Sequence, residues 1–215
     1  MTTETPDGQL LRRHRQGDRN AFVELVKRHE SCLLQHARAV LGPGGSYEDA
    51  VQEAFLKLAQ QPPVVPPEAD GDPRLERAYL LSWLHKVTRN HCMDTMRAEA
   101  RRTRREAEAA RHEGTDGEMS RVEESDTRAI VKRELEKLPQ DQREVLVLRL
   151  LGERSYKEIA EITGKKVGTV GWLVSVGLQA LGDRLQPLLA LPGGVLSEGS
   201  ARSARSATSS RVQGE

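Results

Sequence analysis

The sequence predicts an all-α protein: two small helical domains joined by a flexible linker, the second containing a helix-turn-helix. Three observations lead there. Aromatic residues are 3% of the 215-residue chain and charged residues 30%, a balance that suits helices rather than a β-sandwich or barrel. Apolar residues recur at steps of three and four on both sides of an aperiodic, acidic stretch. Near the end, two such stretches are separated by a short turn marked by Gly164.

Residues 1–17 read as an N-terminal arm, and the first domain spans 18–111. Asp18 can cap a helix whose apolar positions include Phe22, Leu25, Val26, Leu33 and Val40, and the glycine-rich run from Gly42 to Gly45 ends it. "SYED", Ser46 to Asp49, has the capping-box pattern and opens a second helix with an apolar face of Ala50, Val51, Ala54, Phe55 and Leu58. Five of the thirteen residues from Gln61 to Pro73 are proline, so this stretch is a loop, long for a helical domain. A long helix follows to about Arg111. Leu80, Leu84, Val87 and His91 share one of its faces; Lys86, Asn90, Asp94, Arg97 and Arg101 share another.

The stretch 112–126 loses periodicity and reads as the linker. The second domain spans 127–186. Pro139 starts a helix and Gly152 stops it; Ser155 and Glu158 form a second capping-box pattern. In the last helix, Val167, Val170, Val174, Leu178 and Leu181 form a stripe that packs on Leu148, Ile159 and Ile162. The tail, 187–215, fades into Ser, Arg, Ala and Gly and reads as disordered.

Bulk features narrow the function. A net charge of +1 requires any nucleic-acid surface to come from local segregation of charge. Two cysteines are too few for a disulfide scaffold, no apolar run reaches the roughly 18 residues of a membrane span, and no leader pattern opens the chain. The expectation is a soluble protein of the reducing cytoplasm with no membrane partner. Neither a Walker-type phosphate loop nor a nucleophile–base–orienter set is present, so the chain does not read as an enzyme. His29, Cys32, His36 and Cys92 are metal ligands by type, but amphipathic packing explains their spacing, and no metal site is assigned.

Three segments taken in order, Asp49 to Leu58 ("DAVQEAFLKL"), Trp83 to Arg97 ("WLHKVTRNHCMDTMR") and Leu138 to Val170 ("LPQDQREVLVLRLLGERSYKEIAEITGKKVGTV"), resemble the extracytoplasmic-function group of bacterial sigma-70-family factors. The resemblance covers roughly Asp18 to Leu185. It implies a factor that needs no cofactor, binds core RNA polymerase, opens a minus-ten element with its first domain and contacts promoter DNA at the minus-thirty-five element with its second. An anti-sigma protein is a further candidate partner, since many relatives are held inactive by one.

Residue by residue, the resemblance implies that Asp49, Gln52 and Glu53 dock the polymerase clamp, where the plainer reading is a solvated helix face. Asn90, Asp94, Arg97 and Arg101 would hold the opened strand. Five arginines among the nine residues 97–105 exceed what a helix C-terminus requires and suit phosphate. Trp83 matches a family position and is expected to be partly core. The proline-rich loop before this helix contains no aromatic residue, a departure that leaves base capture without assigned pocket residues.

The second departure lies in the reading helix. Lys165, Lys166 and Thr169 remain for the upstream duplex, with Arg154 and Lys157 flanking. The positions after Val170, where relatives carry cations and serine, are Gly171, Trp172, Leu173 and Val174. Two readings stay open. Either this apolar face covers another protein surface or the chain's own Gln186–Leu196, or it reads DNA through Trp172 and shape. Two rival functions also stand: a dimeric helix-turn-helix regulator acting without core polymerase, and a degenerate sigma-like adaptor that binds polymerase without initiating.

Overall fold

A computed structural model describes residues 5–109 and 127–189. The linker 112–126 and the tail from 190 onward lie outside the described residues, within which every regular element is a helix.

The first unit packs four helices: α1 (Asp7–Arg15), α2 (Arg19–Leu41), α3 (Tyr47–Gln60) and α4 (Pro73–Ala109). Asp18 caps α2, accepting from the backbone N–H groups of Asn20 and Ala21. Gly42, at φ +78°, ends α2 in the left-handed region open to glycine. Leu25, Leu33, Val40, Val51, Phe55, Leu58, Leu80 and Leu84 are buried in one core. Ser46 precedes α3 but makes no capping hydrogen bond, so the expected capping box does not form. Asp72 caps α4, accepting from the backbone N–H groups of Arg74 and Leu75, with Pro73 at the first helical position.

The N-terminal arm is not an arm. Residues 7–15 form α1, which buries Leu10 and Leu11 in the first core. Asp7 is held by Arg28 and His29 of α2, each at 3.0 Å, and Arg12 reaches the buried Glu76 of α4 at 2.6 Å. Sequence periodicity missed α1 because its apolar content is only two adjacent leucines.

The second unit packs α5 (Thr127–Glu136), α6 (Gln140–Leu150), α7 (Tyr156–Thr163) and α8 (Val167–Leu189) around Leu138, Val145, Leu146, Leu148, Ile159, Ile162, Val170 and Val174. Pro187 lies inside α8, so the helix runs past the expected start of the tail. The buried stripe of α8 also differs from expectation. Val167 and Leu178 are 49% and 44% exposed, while Leu173 and Gly177 turn inward. The missing side chain at Gly177 is the reason: a Cβ there would stand 3.0 Å from Leu146 Cδ1, so glycine lets α8 close on α6. In α4 the buried stripe is Leu80, Leu81, Leu84, His85, Thr88 and Cys92, and the expected Val87 and His91 are only half-buried.

The two units touch. α6 packs on α2 and α7 packs on α4. Five consecutive residues of α6, Glu144 to Leu148, are buried because the helix is covered from both sides.

Candidate nucleic-acid interface

α4 carries two faces with different tasks. One builds the core through Leu80, Leu84 and Cys92; the other holds Lys86, Asn90, Asp94, Arg97 and Arg101, all exposed. Past Met96 the helix leaves the core and residues 97–106 are exposed all round. Within this segment Arg97 pairs with Asp94 at 3.0 Å, and Arg102 lies 3.9 Å and 3.7 Å from Glu99 and Glu106. Arg101 has no ion pair among the described residues. The result is a cationic rod that keeps hydrogen-bonding groups at its root, in Asn90 and Asp94. Trp83 is half-buried against the first core, which leaves it a packing residue.

On α3, Asp49 and Gln52 are exposed and Glu53 half-buried, opposite the buried Ala50, Val51, Ala54, Phe55 and Leu58. None of the three carboxylate or amide groups has an ion pair or side-chain hydrogen bond among the described residues. This acid-amide face is therefore open to a partner.

The helix-turn-helix is built locally. Ser155 Oγ accepts from the Glu158 N–H, and the Glu158 carboxylate accepts from the Ser155 N–H at 2.8 Å, a reciprocal capping box that starts α7. Gly164, at φ +70°, makes the turn. Lys166 and Thr169 are exposed at the start of α8. Lys165 is half-buried and pairs with Asp141 at 3.0 Å. Arg154, expected beside DNA, is buried instead: its guanidinium bonds Gly152 O at 2.7 Å and Glu158 at 2.8 Å, bracing the capping box. Lys157 is exposed.

Between the units lies a polar cluster absent from the sequence reading. Glu144 of α6 is 0% exposed and accepts from Arg89 of α4 at 2.6 Å. His36 of α2 lies 3.4 Å from the same oxygen, and its Nδ1 stands 3.1 Å from His85 Nδ1. Burial alone would push the Glu144 carboxyl up; the hydrogen bond and charge of His36, and then Arg89, more than offset it, so the carboxyl is held below its ordinary value. Burial pushes His85 well down, and the charges of His36, Arg154 and His29 add to the effect. The signal for this cluster was an acid, Glu144, set against the apolar run Val145–Leu148.

The candidate metal ligands have other tasks. His29 Nε2 stands 3.0 Å from Asp7 Oδ2, Cys32 donates to His29 O at 3.1 Å, and His36 belongs to the junction. Cys92 is buried in the core, where burial, then the Glu144 charge, raises its thiol to about 12. Among the described residues no three such side chains converge.

Two packed helical units with a capped helix-turn-helix in the second define a DNA-binding protein of transcription. Comparison with known proteins sharpens this. The Sigma-70 region 2 family model matches residues 25–102, and the Sigma-70 region 4 model matches 128–181. The ECF RNA polymerase sigma-E factor of Escherichia coli K12 is 31% identical over 199 residues, covering 88% of this chain and 99% of the relative. The RNA polymerase sigma-H factor of Pseudomonas aeruginosa PAO1 is 30% identical over 200 residues, covering 88% and 98%. Among solved structures, the sigma factor RpoE in complex with the anti-sigma factor NepR from Bartonella quintana superposes with a TM-score of 0.57 at 22% identity, over 77% of this chain and 96% of that one. CnrH in complex with the cytosolic domain of CnrY gives 0.53 at 24% identity, over 84% and 97%. At those identities the two structures speak for the fold.

The chain belongs to the extracytoplasmic-function group of the sigma-70 family. It is a sigma factor, which binds core RNA polymerase and directs promoter recognition in transcription initiation. Among the described residues no helix is long and apolar enough to cross a membrane.

Proposed function

We propose that this sigma factor works through three separate surfaces. Asp49, Gln52 and Glu53 on α3 dock core polymerase by hydrogen bonding and ion pairing with a cationic partner surface. Asn90, Asp94, Arg97 and Arg101 on α4 hold the non-template strand as the promoter opens, the arginines on phosphate and the two shorter side chains on base edges. Lys165, Lys166 and Thr169 contact the upstream duplex. The observation that carries this reading is the division of α4: its four strand-facing candidates are all exposed on one face while the opposite face builds the first core.

The protein contributes binding and strand capture, and phosphodiester chemistry belongs to the polymerase; its place of action is the cytoplasm, where polymerase and promoter are. The solved RpoE structure contains an anti-sigma factor. By analogy, an inhibitory protein of that kind is the proposed regulator of this chain.

Run-off transcription with purified core polymerase tests the reading. Promoter-specific product should require this chain. Arg97→Ala with Arg101→Ala should keep polymerase in a pull-down yet lose open complex by permanganate footprinting. Asp49→Ala with Glu53→Ala should lose polymerase itself. Product of equal yield from all variants sinks the assignment.

A further inference from the structure

The outward face of α8 is unusual for a helix at its position. Its inward stripe is Val170, Leu173, Val174, Gly177 and Leu181. At 100° per residue the opposite face is centred on Gly168, Trp172, Ser175 and Gln179. Trp172 is 61% exposed, the most exposed aromatic side chain among the large hydrophobics of the described residues. Around it the helix is bare. Gly168 lies one turn before it, where an added Cβ would meet nothing within 4 Å. Helical side chains lean toward the N-terminus, so the indole lies over this open first turn. Gly171 beside it backs onto the Tyr156 ring, 3.7 Å from where its Cβ would be, and Arg149 covers that ring at 5.4 Å.

The surroundings favour DNA over protein as occupant. Lys157 on α7 and Lys166 in the turn are exposed, have no ion pair among the described residues, and frame the start of α8 as phosphate ligands would. The first turns of the second helix are where a helix-turn-helix meets base edges. The groups there are an indole, which donates one hydrogen bond and accepts none, and the Thr169 hydroxyl. Neither of these two groups offers the paired contacts of a bidentate reading of guanine or adenine. The one apolar feature of the major groove is the thymine C5-methyl.

We propose that Trp172 is the base-contacting residue of α8 and that it recognises thymine in the upstream element through the C5-methyl group. The proposal rests on the reading of α8 as the upstream-duplex helix. Burying one methyl on the indole gives a preference for thymine over uracil of roughly fourfold per contact.

The test uses the complete sigma factor with core polymerase and promoter duplexes selected by that holoenzyme from a random library. Each thymidine in the upstream element is replaced in turn by deoxyuridine, which removes only the methyl. At one or two positions the unaltered protein should bind the uracil duplex about fourfold more weakly. Trp172→Ala should bind both duplexes equally, and its unfolding midpoint should match the parent, since Trp172 is outside the core. Equal binding of both duplexes by the unaltered protein overturns the proposal while leaving α8 a DNA-contacting helix. A uracil penalty that survives in Trp172→Ala also overturns it, assigning the methyl to another residue. Absence of upstream protection in footprints overturns both the proposal and the reading beneath it, and leaves this face to a protein partner.

Discussion

Arg89 Nε stands 2.6 Å from Glu144 Oε1, so one charge-assisted hydrogen bond joins α4 of the first unit to α6 of the second. The carboxylate is sealed from solvent, and its other oxygen, Oε2, has no hydrogen-bond partner among the described residues. His36 completes the cluster from α2. A contact between two Nδ1 atoms needs one N–H and one lone pair. One of the two rings therefore donates to the other, and His85 Nε2 is buried with no hydrogen-bond partner among the described residues. Around the cluster, Arg38 pairs with Glu136 at 2.7 Å, and Arg143 donates to Ala39 O at 2.6 Å. The packed arrangement of the two units is thus specified by polar groups as well as by area.

Removing one side of this junction should be costly. Arg89→Ala leaves Glu144 buried with its permanent positive partner gone, and such losses run to about 3 kcal/mol. Urea unfolding should show that loss. The double variant Arg89→Met with Glu144→Leu should recover most of it, because apolar replacement of a whole buried pair is often neutral. If the double variant is no more stable than the single one, the ionic account of the junction fails.

Acid should loosen the junction in two stages. Both groups sit below their ordinary values, 6.5 for histidine and 4.5 for glutamate, so below each value the unfolded chain binds the proton first. Their contributions are complete above pH 6.5. The His85 share declines as pH falls below 6.5, and the Glu144 share below 4.5. Urea midpoints measured from pH 7.5 to 4 should fall in that order, and His85→Gln should flatten the upper stage alone. A midpoint independent of pH between 7 and 5 contradicts the His85 assignment.

Gly177 sets the distance between α6 and α8. A Cβ at this position would approach Leu146 to 3.0 Å and 3.2 Å, so Gly177→Val forces the helices apart at a cost of about 1–3 kcal/mol. Circular dichroism should show a lowered melting midpoint. Leu178→Ala, one residue on and exposed, should leave the midpoint within about 0.5 kcal/mol of the parent. Equal effects from the two variants would place the α6–α8 contact elsewhere.

The arginines of α4 should differ in their salt dependence. Arg101 has no ion pair among the described residues, whereas Arg97 pairs with Asp94 at 3.0 Å. Arg101→Ala should lower the slope of log K against log salt for single-stranded promoter DNA by about 0.7, and Arg97→Ala by less. Identical slopes for the parent and Arg101→Ala would remove that residue from the phosphate contacts.

The sequence alone determined the all-helical class, the two units, the position of the helix-turn-helix, and the family. It could do so because those signals are local. Asp18 caps a backbone two and three residues on, Ser155 and Glu158 serve each other within one turn, and Gly164 needs only its own φ. The outward stripe of α4 was legible for the same reason, since helical period links residues a few positions apart. Tertiary structure alone decided that α1 docks on the first unit, that Arg154 is buried and braces a cap, and that Gly177 rather than Leu178 faces α6. It also brought His36 and Glu144 together from 108 positions apart. No periodicity encodes such a meeting. It follows from which surfaces close on one another, and only then does burial turn an ordinary glutamate into the charge that must be answered.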